Sequence, residues 1–258
     1  MRIVSLGSGS QGNATIVQWD DDAILVDCGF NYKTLCSRLT EAFGSTDVLE
    51  RVKGVLLTHS HGDHTRGLRV LLDNHPEIAV YANSMTAETT IREEKLVDPP
   101  VACFENGQNF EVGPFQIHPF SVPHDTSDPV GYLIKGDEIY FHATDFGTPL
   151  DSIGGLLAQA DVATLESNHD LQLLFASNRP QDVIRRISGP RGHLSNDQAA
   201  TLVRRFASPN LKRLALGHLS HDCNAEHLVV REMTAVLEAI RRTDLAVSVL
   251  SQDHVTVF

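Results

Sequence analysis

Short apolar runs rich in β-branched residues open the chain, at Arg2–Leu6, Thr15–Trp19 and Ala23–Val26. Gly, Asn and Asp bound each run, which predicts strands joined by turns. Tyr32–Phe43 changes period: Leu35, Leu39 and Phe43 recur at helical spacing. An apolar strand, Gly54–Leu57, follows and ends on a run of histidines. Thr65–Asn74 then reads as a helix through Leu68, Leu71 and Leu72, Ile78–Tyr81 as a strand, and Thr86–Lys95 as a helix stopped by Pro99 and Pro100. Further strands are expected at Phe110–Val112, Phe115–Val122, Gly131–Lys135 and Glu138–His142. The second half repeats the alternation, with strands at Val162–Leu165, Leu211–Leu216, Ala246–Leu250 and Val255–Phe258. Its helices are expected at Gln181–Ile187, Asn196–Phe206 and Ala225–Arg241. No linker, charge block or fixed-period repeat divides the chain. Residues 1–258 are therefore expected to form a single domain of two β-rich halves with helices outside, a layered α/β arrangement.

Composition narrows the field. A chain of 258 residues with 41% hydrophobic and 21% charged positions can bury a full core. Its formal charge of −12 opposes non-specific capture by nucleic acid or anionic membranes, so a phosphate-bearing substrate needs metal ions or a local basic patch. One such patch is present in sequence. Residues 179–213 carry Arg179, Arg185, Arg186, Arg191, Arg204, Arg205, Lys212 and Arg213 against Asp182 and Asp197, a local charge of +6. Solvated arginine faces on two amphipathic helices would give the same count. The N-terminus has no signal-like apolar run, and no stretch approaches the roughly 18–20 apolar residues of a membrane span. No membrane association and a cytoplasmic location are expected. Cys28, Cys36, Cys103 and Cys223 contain no C-x-x-C pair, and they read as mostly buried free thiols.

Gly7-Ser8-Gly9-Ser10-Gln11-Gly12 matches a dinucleotide-binding fingerprint in spacing. That fingerprint needs a helix to open at the third glycine, so that its N-terminus can hold a pyrophosphate. Ala14–Trp19 reads as a strand instead, which makes the loop a hairpin turn. Ser8, Ser10 and Asn13 still offer short polar groups there.

The strongest chemical signal is Thr58-His59-Ser60-His61-Gly62-Asp63-His64. Four side chains of metal-ligand type sit together where an apolar strand ends, and a loop there can turn them inward without spending core positions. A merely solvated polar loop does not account for H-x-H-x-D-H spacing. Imidazole and carboxylate donors suit borderline divalent metals: zinc first, manganese or iron as alternatives.

This motif resembles the signature of the metallo-β-lactamase superfamily, which implies a four-layer αββα sandwich with its site at one edge of the two sheets. Other segments extend the resemblance over Ser5 to Asn224 in the expected order. Asp27 resembles the strand-end aspartate that supports the site. His124, in Val122-Pro123-His124-Asp125, resembles the third histidine ligand of the ribonuclease Z group. Asp145 resembles the bridging aspartate, and His218 the last histidine ligand. With Glu166 in Leu165–Asp170 and His193 in Gly192–Asn196, the pattern is similar to the YycJ/WalJ-like branch of metal-dependent hydrolases, related to ribonuclease Z-like phosphodiesterases. The resemblance implies two divalent ions. One would be held by His59, His61 and His124, the other by Asp63, His64 and His218, with Asp145 between them. Asp63, Glu166 and His193 are the implied catalytic residues. The remaining histidines are taken as structural or surface residues, with His169 and His221 near enough to matched motifs to support the site.

Paired ions can hold a bridging hydroxide as nucleophile and polarise the oxygen under attack. The fold alone does not choose among phosphodiesters, thioesters, lactones and β-lactams. Three features favour a phosphodiester, with DNA or RNA as the expected substrate class. They are Asp145 where lactamases proper use cysteine, the Glu166–His193 pair that protonates the leaving oxygen in ribonuclease Z-like enzymes, and the basic 179–213 region. A small-molecule hydrolase of thioesters, lactones or cyclic phosphodiesters is the alternative, with β-lactam hydrolysis at most a side activity.

Overall fold

The computed structural model describes residues 1–258. The first half contains strands β1 (Arg2–Gly7), β2 (Ala14–Trp19), β3 (Asp22–Val26), β4 (Val52–Leu56), β5 (Ala79–Asn83) and β6 (Val101–Phe104). Helices α1 (Tyr32–Phe43), α2 (Gly62–Thr65), α3 (Leu68–Asn74) and α4 (Ser84–Glu93) intervene. The second half contains β7 (Phe110–Val112), β8 (Phe115–Ser121), β9 (Val130–Lys135), β10 (Ile139–Ala143), β11 (Val162–Glu166), β12 (Arg213–Gly217) and β13 (Ala246–Val249), followed by β14 (Thr256–Val257). Its helices are α5 (Asp151–Leu157), α6 (Leu171–Ala176), α7 (Gln181–Ile187), α8 (Asn196–Phe206) and α9 (Glu226–Ala239).

These strands form two seven-stranded sheets, ordered β14-β1-β2-β3-β4-β5-β6 and β13-β12-β11-β10-β9-β8-β7. Each sheet changes from antiparallel to parallel pairing partway across. In the first, β1–β2 and β2–β3 are antiparallel, and the pairs from β3 to β6 are parallel. In the second, β7 to β10 pair antiparallel and β10 to β13 parallel. Strand alternation sorts the core into layers. On β3, Ile24 and Val26 point into a core shared with Phe115, Ile117, Tyr132 and Tyr140 of the second sheet. Ala23 and Leu25 point the other way, onto Leu35 and Leu39 of α1 and Leu68 and Leu71 of α3. Across the molecule, Phe141 and Leu214 carry α5, α8 and α9 through Leu157, Val203 and Met233. Three cores between four layers make the expected αββα sandwich.

Local signals explain the helix ends. Asn31 caps α1 by accepting from Thr34 N at 3.0 Å, and Ser195 and Gln198 form a capping box on α8. Three elements escaped the pattern. Strand β6 lies at a sheet edge and is half exposed, so it shows no alternation. Helix α5 carries Gly154 and Gly155, both poor helix formers. Helix α6 is a short apolar run that leaves Phe175 61% exposed. The predicted helix Thr65–Asn74 begins later, as α3 from Leu68, because α2 ends at Thr65 and Gly67 caps the start of α3. Of the cysteines, Cys28 and Cys223 are buried, Cys36 is half-buried and Cys103 is exposed, so burial is less general than expected; all four are free. No helix is long and apolar enough to cross a membrane.

Candidate metal centre

The expected site residues come together just beyond the carboxyl ends of the central strands of both sheets, where open α/β sheets place their ligands. From the first sheet come Asp27 after β3, and His59, His61, Asp63 and His64 after β4. From the second come His124 after β8, Asp145 after β10, Glu166 at the end of β11, His193 ahead of α8, and His218 after β12. Asp27, Asp145 and His218 have left-handed backbone, with φ of 59°, 60° and 56°. Non-glycine residues there carry strain that the surrounding structure must hold, and such residues concentrate at functional sites.

Donor atoms cluster in overlapping sets, each within 4.8 Å: His59, His61 and His124; Asp63, His64 and His218; His59, His64 and Asp145; and Asp145, Glu166, His193 and His218. Asp145 lies between the groups, with Oδ2 3.3 Å from His64 Nε2 and Oδ1 3.4 Å from His218 Nε2 and 3.8 Å from His124 Nε2. His124 Nε2, His218 Nε2 and Asp145 Oδ2 are buried without a hydrogen-bond partner. Buried polar atoms are rarely left so, and inward-facing imidazole nitrogens with a carboxylate among them fit divalent ions.

The supporting contacts turn each ring. Asp27 accepts from Thr58 N and from Thr58 Oγ1, both at 2.8 Å, and lies 2.7 Å from His64 Nδ1. Thr58 Oγ1 is also 3.0 Å from His59 Nδ1. His124 Nδ1 is 3.0 Å from Gly192 O. Each contact occupies one ring nitrogen and aims the other inward, which is how outer partners fix ligand tautomers. Gly29 is required for this approach, since a Cβ there would lie 1.7 Å from Asp63 O.

Glu166 is fully buried, and four groups surround its carboxylate. Oε1 lies 2.8 Å from His193 Nδ1 and 3.2 Å from His218 Nδ1, and Oε2 accepts from Phe146 N and Leu194 N at 3.0 Å. Burial would raise its pKa, but His193 and then His218 outweigh that and hold it down to about 2. Burial opposes charge on His193 as well, yet Glu166 raises its pKa. The His193 side chain keeps 17% exposure, so it can meet a substrate. The predicted pair is thus in direct contact, with Glu166 favouring the protonated ring and His193 favouring the carboxylate.

Several contributors were not singled out from sequence. Thr58 adjoins the histidine run, and Asn168 donates to His218 O at 2.7 Å. Asp125, next to His124, pairs with Arg186 at 2.9 Å. The +6 segment does not form one patch. Arg179, Arg185, Arg186 and Arg191 lie in or beside α7, and two of them reach the site: Arg191 donates to His124 O at 2.8 Å and Arg186 pairs with Asp125. Arg204 and Arg205 end α8, and Lys212 and Arg213 begin β12; both places are a full element, roughly 16 Å, from the site end. There Arg205 pairs with Asp151 at 2.6 Å and Arg213 with Glu138 at 2.5 Å. His169 is buried behind Asn168, whereas His221 is exposed beside Asp222. The glycine loop is a turn between antiparallel strands, as the strand that follows it predicts.

Two packed mixed sheets with a histidine- and aspartate-rich cluster at their edge define the metallo-β-lactamase class of fold. The chain belongs to the beta-lactamase superfamily, whose domain profile matches residues 22–218. It is 32% identical over 248 residues, 95% of this chain and 90% of the other, to exodeoxyribonuclease WalJ of Streptococcus pneumoniae serotype 2. It is also 32% identical over 239 residues, 90% of this chain and 88% of the other, to exodeoxyribonuclease YycJ of Bacillus anthracis. Among solved structures, the metallo-beta-lactamase fold protein YhfI from Bacillus subtilis superposes with a TM-score of 0.73 at 18% identity, covering 99% of this chain and 98% of that one. The human short-form tRNase Z gives a TM-score of 0.66 at 18% identity, covering 99% and 98%.

Proposed function

We propose that this protein is a zinc-dependent phosphodiesterase that cleaves nucleic acid, with residues 1–258 working as one hydrolase domain around two ions. His59, His61 and His124 would hold one ion and Asp63, His64 and His218 the other, with Asp145 placed where it could serve both. Bound divalent ions supply Lewis-acid charge and a nucleophilic water at neutral pH. Asp27 and Thr58 keep His59 and His64 in their ligand orientations. His193 donates the Nε2 proton to the leaving oxygen, and Glu166, bound at Nδ1, favours the protonated ring and aligns it. Asp63, whose side chain is 21% exposed, could border a bound phosphate and counts with Glu166 and His193 among the catalytic residues. The observation that carries this reading is the 2.8 Å Glu166–His193 contact beside the two donor groups. An alkoxide leaves poorly without a proton, whereas thiolate and enolate leaving groups of other substrates need less help.

Likeness to two proteins named exodeoxyribonucleases supports DNA as the substrate. Four unpaired cysteines fit a reducing cytoplasm. The test is a matched assay, with zinc and with manganese, on end-labelled DNA, RNA, bis-p-nitrophenyl phosphate, a thioester and nitrocefin. Cleavage of DNA well above the others is expected. Hydrolysis of the thioester with no phosphodiester cleavage would overturn the reading.

A further inference from the structure

The glycine-rich loop between β1 and β2 does more than turn the chain. Its two ends grip the Asp63, His64 and His218 group from opposite sides. At one end, buried Ser8 accepts a hydrogen bond from His218 N at 2.9 Å, while Ser8 N donates to Ser251 O at 2.9 Å. At the other, Asn13 N donates to Asp63 O at 2.8 Å, and Gly29 N donates to Asn13 O at 2.9 Å. The Asn13 side chain closes the loop on itself, accepting from Gly9 N at 2.8 Å and donating to Gly9 O at 3.0 Å. Its Nδ2 also lies 3.3 Å from Asp63 O and 3.0 Å from His64 Nε2.

This placement matters because no strand ladder fixes the spacing within that group. Asp63 and His64 follow β4 of the first sheet, whereas His218 follows β12 of the second. Parallel and antiparallel pairing set distances within a sheet, not between two sheets. His218 is also held at φ 56°, and its two backbone polar groups are fixed from both sides: N by Ser8, and O by Asn168 at 2.7 Å. Asn13 fits beside a metal ligand without loss. An amide NH2 carries two protons, and Gly9 O and Asp63 O can take both, leaving the His64 Nε2 lone pair free.

We infer that Ser8 and Asn13 are positioning residues: the β1–β2 loop is a strut that sets the separation of Asp63 and His64 from His218, and so the affinity of that half of the site for its ion. The inference rests on the ligand assignment proposed above. The test titrates Zn2+ against a chromophoric competitor in the full-length protein carrying Ser8→Ala, Ser8→Thr, Asn13→Ala or His218→Ala. Melting temperatures are taken with and without zinc. Ser8→Ala and Asn13→Ala are each expected to weaken one ion by about 10–100-fold and leave the other unchanged, the range measured for outer partners of metal ligands. Ser8→Thr, which keeps the hydroxyl, should restore affinity. Melting without zinc should fall by about 2–4 °C in Ser8→Ala, the cost of one hydrogen bond in a chain of this size, and by about 4–8 °C in Asn13→Ala, whose amide makes two to Gly9. If His218→Ala loses an ion while Ser8→Ala and Asn13→Ala bind both as the unaltered protein does, the strut is wrong and the ligand set stands. Retention of both ions by His218→Ala overturns the ligand set and the strut with it. Equal loss of both ions, or a large fall in melting without zinc, reduces the loop to a general structural role.

Discussion

The His59–His61–His124 group and the Asp63–His64–His218 group use the same side-chain types a few residues apart, yet the fold gives them opposite electrostatics. In the first, burial pushes His59 well below the usual histidine pKa, and burial and the neighbouring imidazole of His124 lower His61. These rings are neutral at pH 7 and present lone pairs. In the second, burial again opposes charge, but carboxylates win. Asp27, Asp145 and Asp63 raise His64 well above its usual value, and Asp145 with Asp63 and Glu166 raises His218 to about 10. Asp63 and Asp145 are held low by His64 and His218 in return. In the first group His59 and His61 are ready for a cation; the second holds protons that a cation must displace.

The strongest way to break this comparison is to remove what the two groups share. Asp145→Ala should lose both ions together and abolish measurable turnover, read by elemental analysis and phosphodiester assay. Retention of one ion would show that Asp145 serves a single group. Next comes a change that should touch neither group. His193→Ala is expected to keep both ions and lose about 10²–10⁴-fold in turnover of alkyl phosphodiesters, with a much smaller loss on p-nitrophenyl esters, whose leaving group needs little protonation. Loss of an ion in that variant would make His193 a ligand.

A smaller effect separates the groups by pH. His218 in the apo-protein titrates near 10, so at pH 7 it carries a proton that zinc binding releases. Zinc affinity of that group should rise by about tenfold per pH unit between pH 7 and 9 for each proton displaced, while His59 and His61, already neutral, add no such dependence to the other ion. Calorimetry in buffers of different ionisation enthalpy counts the protons, and equal slopes at both ions would erase the distinction. The sign also holds for stability. A raised histidine pKa stabilises the apo-fold fully below about 6.5 and loses that contribution as pH climbs toward 10. Apo-protein should therefore melt progressively lower across that window, and zinc-loaded protein should not.

The smallest effect concerns the arginines. Reversing Arg186, which pairs with Asp125 beside His124, together with its neighbour Arg185 to Glu should weaken DNA binding and flatten its salt dependence by about 0.7–0.9 per lost phosphate contact. Arg204→Glu with Arg205→Glu, at the far end of α8, should leave both unchanged. Equal effects from the two pairs would restore a single basic surface.

Much of this could be read from the residues. The short apolar run of β3 between Asp22 and Asp27, and the helical spacing of Leu35 and Leu39, are local properties that tertiary packing reinforced, which is why those elements stand where the pattern put them. Glu166 and His193 were legible for another reason, their local motifs, yet they lie 27 residues apart in sequence and only 2.8 Å apart in space. Strand β6 and helices α5 and α6 were not legible, because edge exposure, paired glycines and an aperiodic apolar run leave no period to detect.

The sequence by itself determined which donors exist and at which strand ends they sit, since strand ends and ligand types are written locally. It could not determine that Ser8 reaches His218, that Glu166 touches two histidines at once, or that the +6 segment is split between opposite ends of the second sheet. Those facts depend on how two sheets stack. Strand pairing and burial across the shared core bring residues 210 positions apart to 2.9 Å, and no local period carries that distance. The same stacking decided which carboxylates face which imidazoles, and so the different charge of two groups built from like residues.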